Sequence, residues 1–358
     1  MLNPRPPLWS HAAGPMFAIA ALFAVLLPWV WLLPAEDPRL LHLRIGFFGF
    51  AAAKVTGYVL TALPAWGPYR PALGPIPIAL GLLAARAWAF AAPGQVLPVL
   101  LICGGVGVVI LWPAVRGRAW PRLPIACAPL VLALIEAGIV AGHLPVTVPP
   151  RFMAGLVLLI GGWAIPAFLS TEAARQGRIL PPSGTIALAF ALAAVAALAP
   201  YPVALPAALL FAAAVLWRVR AARRAGLANR MLAGAWSTLA LTLPVLVLAP
   251  SGTASAWTGH LFLTATLGGT AFAFSARAAM DRPAMGGLRP RRTQVAGFVL
   301  VLAAAPLRAA VGFDPAGPWL HLSGLCWSAG WLLYLAAHLR ALPRPAPFPI
   351  LSAARDAA

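Results

Sequence analysis

Apolar stretches of about 20 residues, each closed by Pro, Gly or Arg, follow one another along nearly the whole sequence. A stretch of that length spans the hydrocarbon core of a bilayer at about 1.5 Å per residue. Hydrocarbon offers no water to take up a backbone amide or carbonyl, so each stretch must satisfy its own backbone and does so as a helix. The runs fall near residues 12 to 34, 41 to 64, 72 to 91, 95 to 115, 123 to 145, 150 to 169, 183 to 199, 201 to 220, 231 to 250, 256 to 279, 293 to 312 and 318 to 341. They predict an all-α, polytopic membrane helix bundle of about twelve transmembrane helices, forming a single integral membrane domain over residues 1–358. The first run, from about Ala12 to Pro34, is too long for a signal-peptide core and has no clear small-residue cleavage site, so it reads as a retained helix. The narrowest break lies between Ala199 and Pro202.

Charge supports the same reading. Charged residues make up 9% of the chain, hydrophobic residues 62%, and the mean hydropathy is +0.88, whereas a globular domain is about a quarter charged. A net charge of +19 on a soluble protein would point to nucleic acid. Here the basic residues sit between the apolar runs, so the expected partner is membrane lipid and no nucleic acid. With the N-terminus inside, the cytoplasmic segments carry Arg5; Arg70; Arg116, Arg118 and Arg122; Arg175 and Arg178; Arg218, Arg220, Arg223, Arg224 and Arg230; Arg277, Arg282, Arg289, Arg291 and Arg292; and Arg340, Arg344 and Arg355. The opposite side holds only Arg39, Arg151 and Arg308. An excess of Arg and Lys marks the cytoplasmic loops, which places both termini in the cytoplasm. The densest basic loop, Trp217 to Arg230, suits an interfacial segment on anionic lipid.

Arg44, Lys54, Arg86 and Glu136 fall inside apolar runs. An ionisable group there costs roughly 2.5–3.5 kcal/mol on insertion scales, so each calls for a partner or a function. Arg86 and Glu136 are placed to form a buried pair, which either orders the bundle or serves a site. Lys54, the only lysine, lies too near the middle of its helix to reach water and should face the protein interior. His42, His143, His260 and His321 all fall at predicted outward-facing helix ends, while His11 and His338 lie at the cytoplasmic boundary, where solvent or headgroups satisfy them. Imidazole ligates haem iron and copper, so an outer-leaflet histidine cluster suits a metal or haem site; histidines at helix ends are also easily satisfied without one.

Below His42, the residues Gly46, Gly49, Ala53 and Gly57 make a small-residue stripe that admits either a neighbouring helix backbone or a flat macrocycle. Cys103, Cys127 and Cys326 lie in separate runs without CxxC spacing and read as small apolar residues. No Walker loop, Ser/His/Asp set or HExxH helix appears.

The stretch HLRIGFFGFAAAKVTGYVLTALPAWG, His42 to Gly67, resembles the signature helix of the NnrS family, bacterial haem- and copper-containing membrane proteins associated with the response to nitric oxide. GGWAIPAFLS from Gly161 resembles that family's Gly-Gly-Arg-x-Ile-Pro-Phe-Phe segment. HLFLTATLGGTAFAFSARA from His260 resembles its His-Ala-Leu-Thr-x-Gly helix, Arg86 in GLLAARAW matches a third-helix arginine, and HLSGLCWSAGWLLYLAAHL fits the family's ending. The likeness covers nearly the whole chain and itself implies twelve helices.

There are departures. Where the family has His-x-His-Glu, this chain reads His42-Leu43-Arg44-Ile45; a ninth-helix family histidine falls at or near Trp236, and another falls near Arg282. The resemblance therefore implies a haem held by His42 and His260 near the outer face, with Arg44 and Arg86 for its propionates. It leaves copper short of ligands unless His143 or His321 substitutes. It also implies a small-molecule ligand such as nitric oxide and residence in the bacterial inner membrane. The rival expectation is a metal-free transporter or scaffold, with Lys54, Arg86 and Glu136 lining a polar cavity and helices broken at Pro64, Pro166 and Pro244. Whether the chain is an enzyme stays open: nitric-oxide reduction would need a second metal or a proton route, and the sequence displays neither.

Overall fold

The computed structural model describes residues 6–180, 186–198, 201–248, 258–283, 287–347 and 350–351. Among these residues the regular elements are helical, and helical segments fall within each of the apolar runs. Arg5, Arg355 and the predicted run ends at 183–185, 199, 249–250 and 256–257 lie outside the described residues. Among the described residues eight helices are long and apolar enough to cross a membrane, and a shorter apolar helix spans Pro75–Ala91.

The chain divides into two compact units, Met1–Phe152 with Tyr334–Ile350, and Met153–Leu333 with Leu351–Ala358. The first contains α1 (Ala13–Leu26), which tightens into a 3-10 stretch over Leu27–Leu32, then α2 (Pro38–Ala65), α3 (Pro75–Ala91), α4 (Val96–Arg116) and α5 (Trp120–Val140). Helix α1 packs on α2 and α3, α4 lies against α3 and α5, and α5 returns to α2. The inward face of α1 repeats every three to four residues in Met16, Phe17, Ala20 and Ala24, all buried. Its other face is apolar too, with Leu22 and Leu26 exposed, as are Leu97, Leu101 and Trp112 on α4. Helices apolar on every side belong in lipid, because water would penalise that outer surface. The chain ends of this unit are tied together, with the amides of Leu8 and Trp9 donating to the carbonyls of Arg344 and Leu342.

The second unit takes most of α6 (Val148–Arg175), then α7 (Ile186–Leu198), α8 (Tyr201–Val219), α9 (Leu227–Ser237, continued by Leu239–Leu248), α10 (residues 258–276), α11 (Arg292–Ala310) and most of α12 (Trp319–Leu339). Helices α7 and α8 meet through Ala196, Ala207 and Ala208 with Leu192. Helix α8 packs on the second half of α9, the first half of α9 on α10, and α10 on α11. Phe272, Phe298, Trp327 and Trp331 form an aromatic core, with ring centroids 5.2–6.0 Å apart in tilted pairs.

Candidate functional site

Helix α2 begins at Pro38, ahead of the apolar run that starts near residue 41. Asp37 caps it, accepting from the amides of Arg39 and Leu40 at 2.9 Å, and Pro38 supplies a first residue that needs no donor. His42 follows, half-buried, its ring centroid 5.1 Å from that of Trp31. Two residues later the helix widens into a π-helical segment, Arg44–Ala51. The small-residue stripe below His42 is used for packing. A Cβ on Gly46 would meet Leu27 at 3.3 Å, one on Gly49 would meet Phe23 at 3.1 Å, and one on Gly57 would meet Met16 and Phe17 at 2.8 Å. The stripe therefore receives α1 rather than a macrocycle.

The ionisable residues of this unit form a buried cluster. Arg86 donates to both carboxylate oxygens of Glu136, from Nη1 to Oε1 at 2.7 Å and from Nη2 to Oε2 at 2.6 Å, in a bidentate fork. Its Nη2 also lies 3.6 Å from the sulfur of Cys103, which thus does more than pack. Arg44 brings Nε to 3.3 Å from Glu136 Oε1 and donates from Nη1 to the carbonyl of Ala89 at 2.9 Å. That carbonyl stands four residues before Pro93, which has no N–H to offer it, so Arg44 replaces the missing helical donor.

Lys54 faces inward, as its position predicts, but belongs to a different group. It lies roughly 15 Å along α2 from Arg44 at helical rise, with Nζ 5.0 Å from the Phe17 ring centroid and 4.6 Å from that of Tyr334. Lys54 thus stands apart along α2 from the Arg44–Arg86–Glu136 cluster, against the rings of Phe17 and Tyr334. His338 differs from expectation more sharply. It is fully buried, stacks on Tyr334 at 5.3 Å, and makes a 2.9 Å hydrogen bond from Nε2 to the carbonyl of Gly14. Tertiary packing of α1 against the end of α12 outweighs its place near a helix terminus. His11 is half-buried and its Nδ1 accepts from the amide of Ala13 at 3.2 Å, at the start of α1; burial lowers its pKa from 6.5 to about 4.

In the second unit His260 stands, half-buried, on α10, and a second π-helical segment, Phe262–Gly268, begins two residues after it. The parallel with His42 is a feature that sequence reading missed, since nothing in the residue types distinguishes a π turn from an α turn. π segments are rare and concentrate at functional sites. Within this one, Thr266 is fully buried and its hydroxyl lies 2.6 Å from that of Thr238 and 2.7 Å from that of Thr242, both on the α9 stretch.

The Gly161–Gly162 motif of α6 does two different things. At Gly161 the indole of Trp236 presses so close that a Cβ would stand 2.2 Å from it, and Trp236 Nε1 donates to the carbonyl of Val157 at 2.9 Å. A fully buried, satisfied tryptophan thus fills the position where the resemblance looks for a histidine. At Gly162 the carbonyl precedes Pro166 by four residues and has lost its helical donor; Arg218 supplies one from Nε at 2.9 Å. Arg218 is accordingly buried and is not part of the exposed basic loop in which its sequence neighbours place it. Arg220 does remain at the surface, over the exposed Trp217 ring at 3.7 Å, as an interfacial segment requires.

His143 and His321 are exposed at helix ends. Among the described residues no group of three or more His, Cys, Asp or Glu side chains could hold a metal ion. Haem needs less. One or two imidazoles suffice as axial ligands; His42 belongs to the first unit and His260 to the second. Arg282, near which the resemblance looks for another histidine, follows α10, and burial lowers its pKa to about 10.

A protein-family model described as NnrS protein matches residues 7–346. No curated protein and no solved structure matches the chain.

Proposed function

This chain belongs to the NnrS family, and from that premise we propose that it is a haem-binding membrane protein of a nitric-oxide or metal-stress response. His42 and His260 are its proposed axial ligands, with nitric oxide as its proposed small-molecule ligand. We place it in the bacterial inner membrane with about twelve crossings and both termini in the cytoplasm, as the alternation of Arg between loops requires. The observation that carries the haem reading is the common setting of the two imidazoles. Each stands, half-buried, two residues before the π-helical segment of its own helix, Arg44–Ala51 or Phe262–Gly268.

Of the two arginines matched to propionates, Arg86 is committed to Glu136 through both fork nitrogens, so its role toward a haem is to fix Glu136 and, through it, Arg44. Copper is not part of this proposal.

Absorbance of the protein purified after haem-replete expression tests the reading. A Soret band is expected, weakened or shifted in His42→Ala and in His260→Ala, and perturbed by nitric oxide. Absence of the band from the wild-type protein rejects the haem. The metal-free transporter reading then takes precedence, because a buried arginine cluster with one carboxylate is the remaining feature that needs a ligand.

A further inference from the structure

Two arginines and one glutamate make the buried cluster of the first unit, and its formal charge is therefore one positive unit in excess. Arg44 and Glu136 are each 2% exposed and Arg86 is 5% exposed, so water does little to screen it. The hydrogen bonds are unevenly shared. Glu136 gives its two oxygens to the Arg86 fork at 2.7 and 2.6 Å, leaving Arg44 a 3.3 Å approach of Nε to Oε1 that makes no hydrogen bond. Arg44 Nη1 is occupied by the carbonyl of Ala89. Its Nε and Nη2 are buried without a hydrogen-bond partner. These two N–H groups lie on one edge of the guanidinium plane and point in parallel, the arrangement that receives two oxygens of a planar anion at once. A buried donor without a partner is costly, and a buried charge without a counter-charge more so.

We infer that the Nε–Nη2 edge of Arg44, held in place by Ala89 and by the Arg86–Glu136 pair, binds a planar monovalent oxyanion of the carboxylate or nitrate class. One such anion satisfies both open donors and brings the cluster to neutrality. A divalent anion would leave it negative, and a spherical halide would use the charge without the fork. Arg86 is a positioning residue here: by occupying both Glu136 oxygens it prevents the carboxylate from closing on Arg44 as a bidentate partner. The carboxylate could arrive as a free anion or as part of a haem, and the site chemistry is the same for either source.

Formate and nitrate are the probes, titrated into the purified full-length, haem-free protein in detergent, with chloride and sulfate at matched ionic strength as comparisons. The readout is the thermal unfolding midpoint. A saturable upward shift with formate or nitrate is expected, at least tenfold weaker in apparent affinity for chloride and sulfate. Arg44→Lys keeps the charge and removes the fork, and should weaken the formate response at least tenfold; Arg44→Gln should abolish it. A wild-type protein without a saturable response overturns the inference, and so does an Arg44→Lys protein that responds undiminished. If either variant fails to fold, the halide and sulfate comparison on the wild type decides, because equal responses to all four anions also overturn it. His42→Ala separates this site from the haem proposal: a retained formate response supports the anion site whatever becomes of the haem, and a lost one overturns its independence from it. Loss of the formate response on haem loading assigns the fork to a haem carboxylate; an unchanged response assigns it to a free anion.

Discussion

Replacing Arg218 with Met should destabilise the protein through one carbonyl. Gly162 lies four residues before Pro166, so the helix offers its oxygen no amide, and the 2.9 Å bond from Arg218 Nε takes that place in a buried setting. Hydrogen bonds between membrane helices average about 0.6 kcal/mol in double-mutant cycles and reach about 1.7. Those donors are mostly neutral and leave acceptors with other options. A charged donor on a carbonyl without alternatives belongs at or above the upper end, about 1.5–3 kcal/mol. The cause is tested by adding Pro166→Ala. That substitution restores an amide to position 166 and lets the helix close on Gly162, so Arg218→Met should cost at least about 1 kcal/mol less in the Pro166→Ala background than in the wild type. Reversible unfolding in mixed micelles, followed by helical circular dichroism, measures all four proteins. An equal cost of Arg218→Met in both backgrounds refutes the argument, because the bond would then be independent of the proline that created the need for it.

The other expectations use the same assay. Glu136→Gln removes the only carboxylate of the buried cluster and leaves two guanidinium groups facing each other, so a loss of about 3–5 kcal/mol is expected; a loss under about 1 kcal/mol would mark the pair as solvated in detergent. His11 has a pKa lowered from 6.5 to about 4. The unfolded chain therefore takes up a proton first, and stability should fall as pH drops from about 6.5 towards 4, then level off. The interval sets an upper bound of about 3 kcal/mol, reduced by partial exposure. His11→Asn keeps an acceptor for the Ala13 amide without titrating, and should flatten that slope.

Much of the architecture is legible in the residues. The apolar runs give the helices because hydrocarbon leaves the backbone no other partner. Arg86 and Glu136 meet because opposite charges on two apolar helices have few other ways to be stable. The remainder is relational. That Pro166 leaves a carbonyl open can be read from its own helix, but that Arg218 fills the opening depends on α8 lying beside α6, 56 residues apart in sequence. His338 reads as a boundary residue until α1 is packed over it. The spacing of Gly46, Gly49, Ala53 and Gly57 fits one α-helical face, yet a π segment runs through its upper part, and no propensity scale separates the two kinds of turn. Trp236 is visible as a departure from the family, and only packing against Gly161 shows the exchange to be a filled space.

The two wide helical segments set the rotational phase of their histidines. A π turn carries one residue more than an α turn for each cycle, so the chain above it is advanced relative to the chain below. Relaxing the stretch between Arg44 and Ala51 to an ordinary helix at unchanged length would swing His42 by about 100° around the axis while Gly57 stayed against α1, and deleting a single residue from it at the same time would largely restore the direction of His42. The same holds for His260 above Gly268. Direction of the imidazole and anchoring of the helix are thus adjustable separately, and the choice between a π and an α turn is enough to aim or retire either ring without disturbing the bundle beneath it.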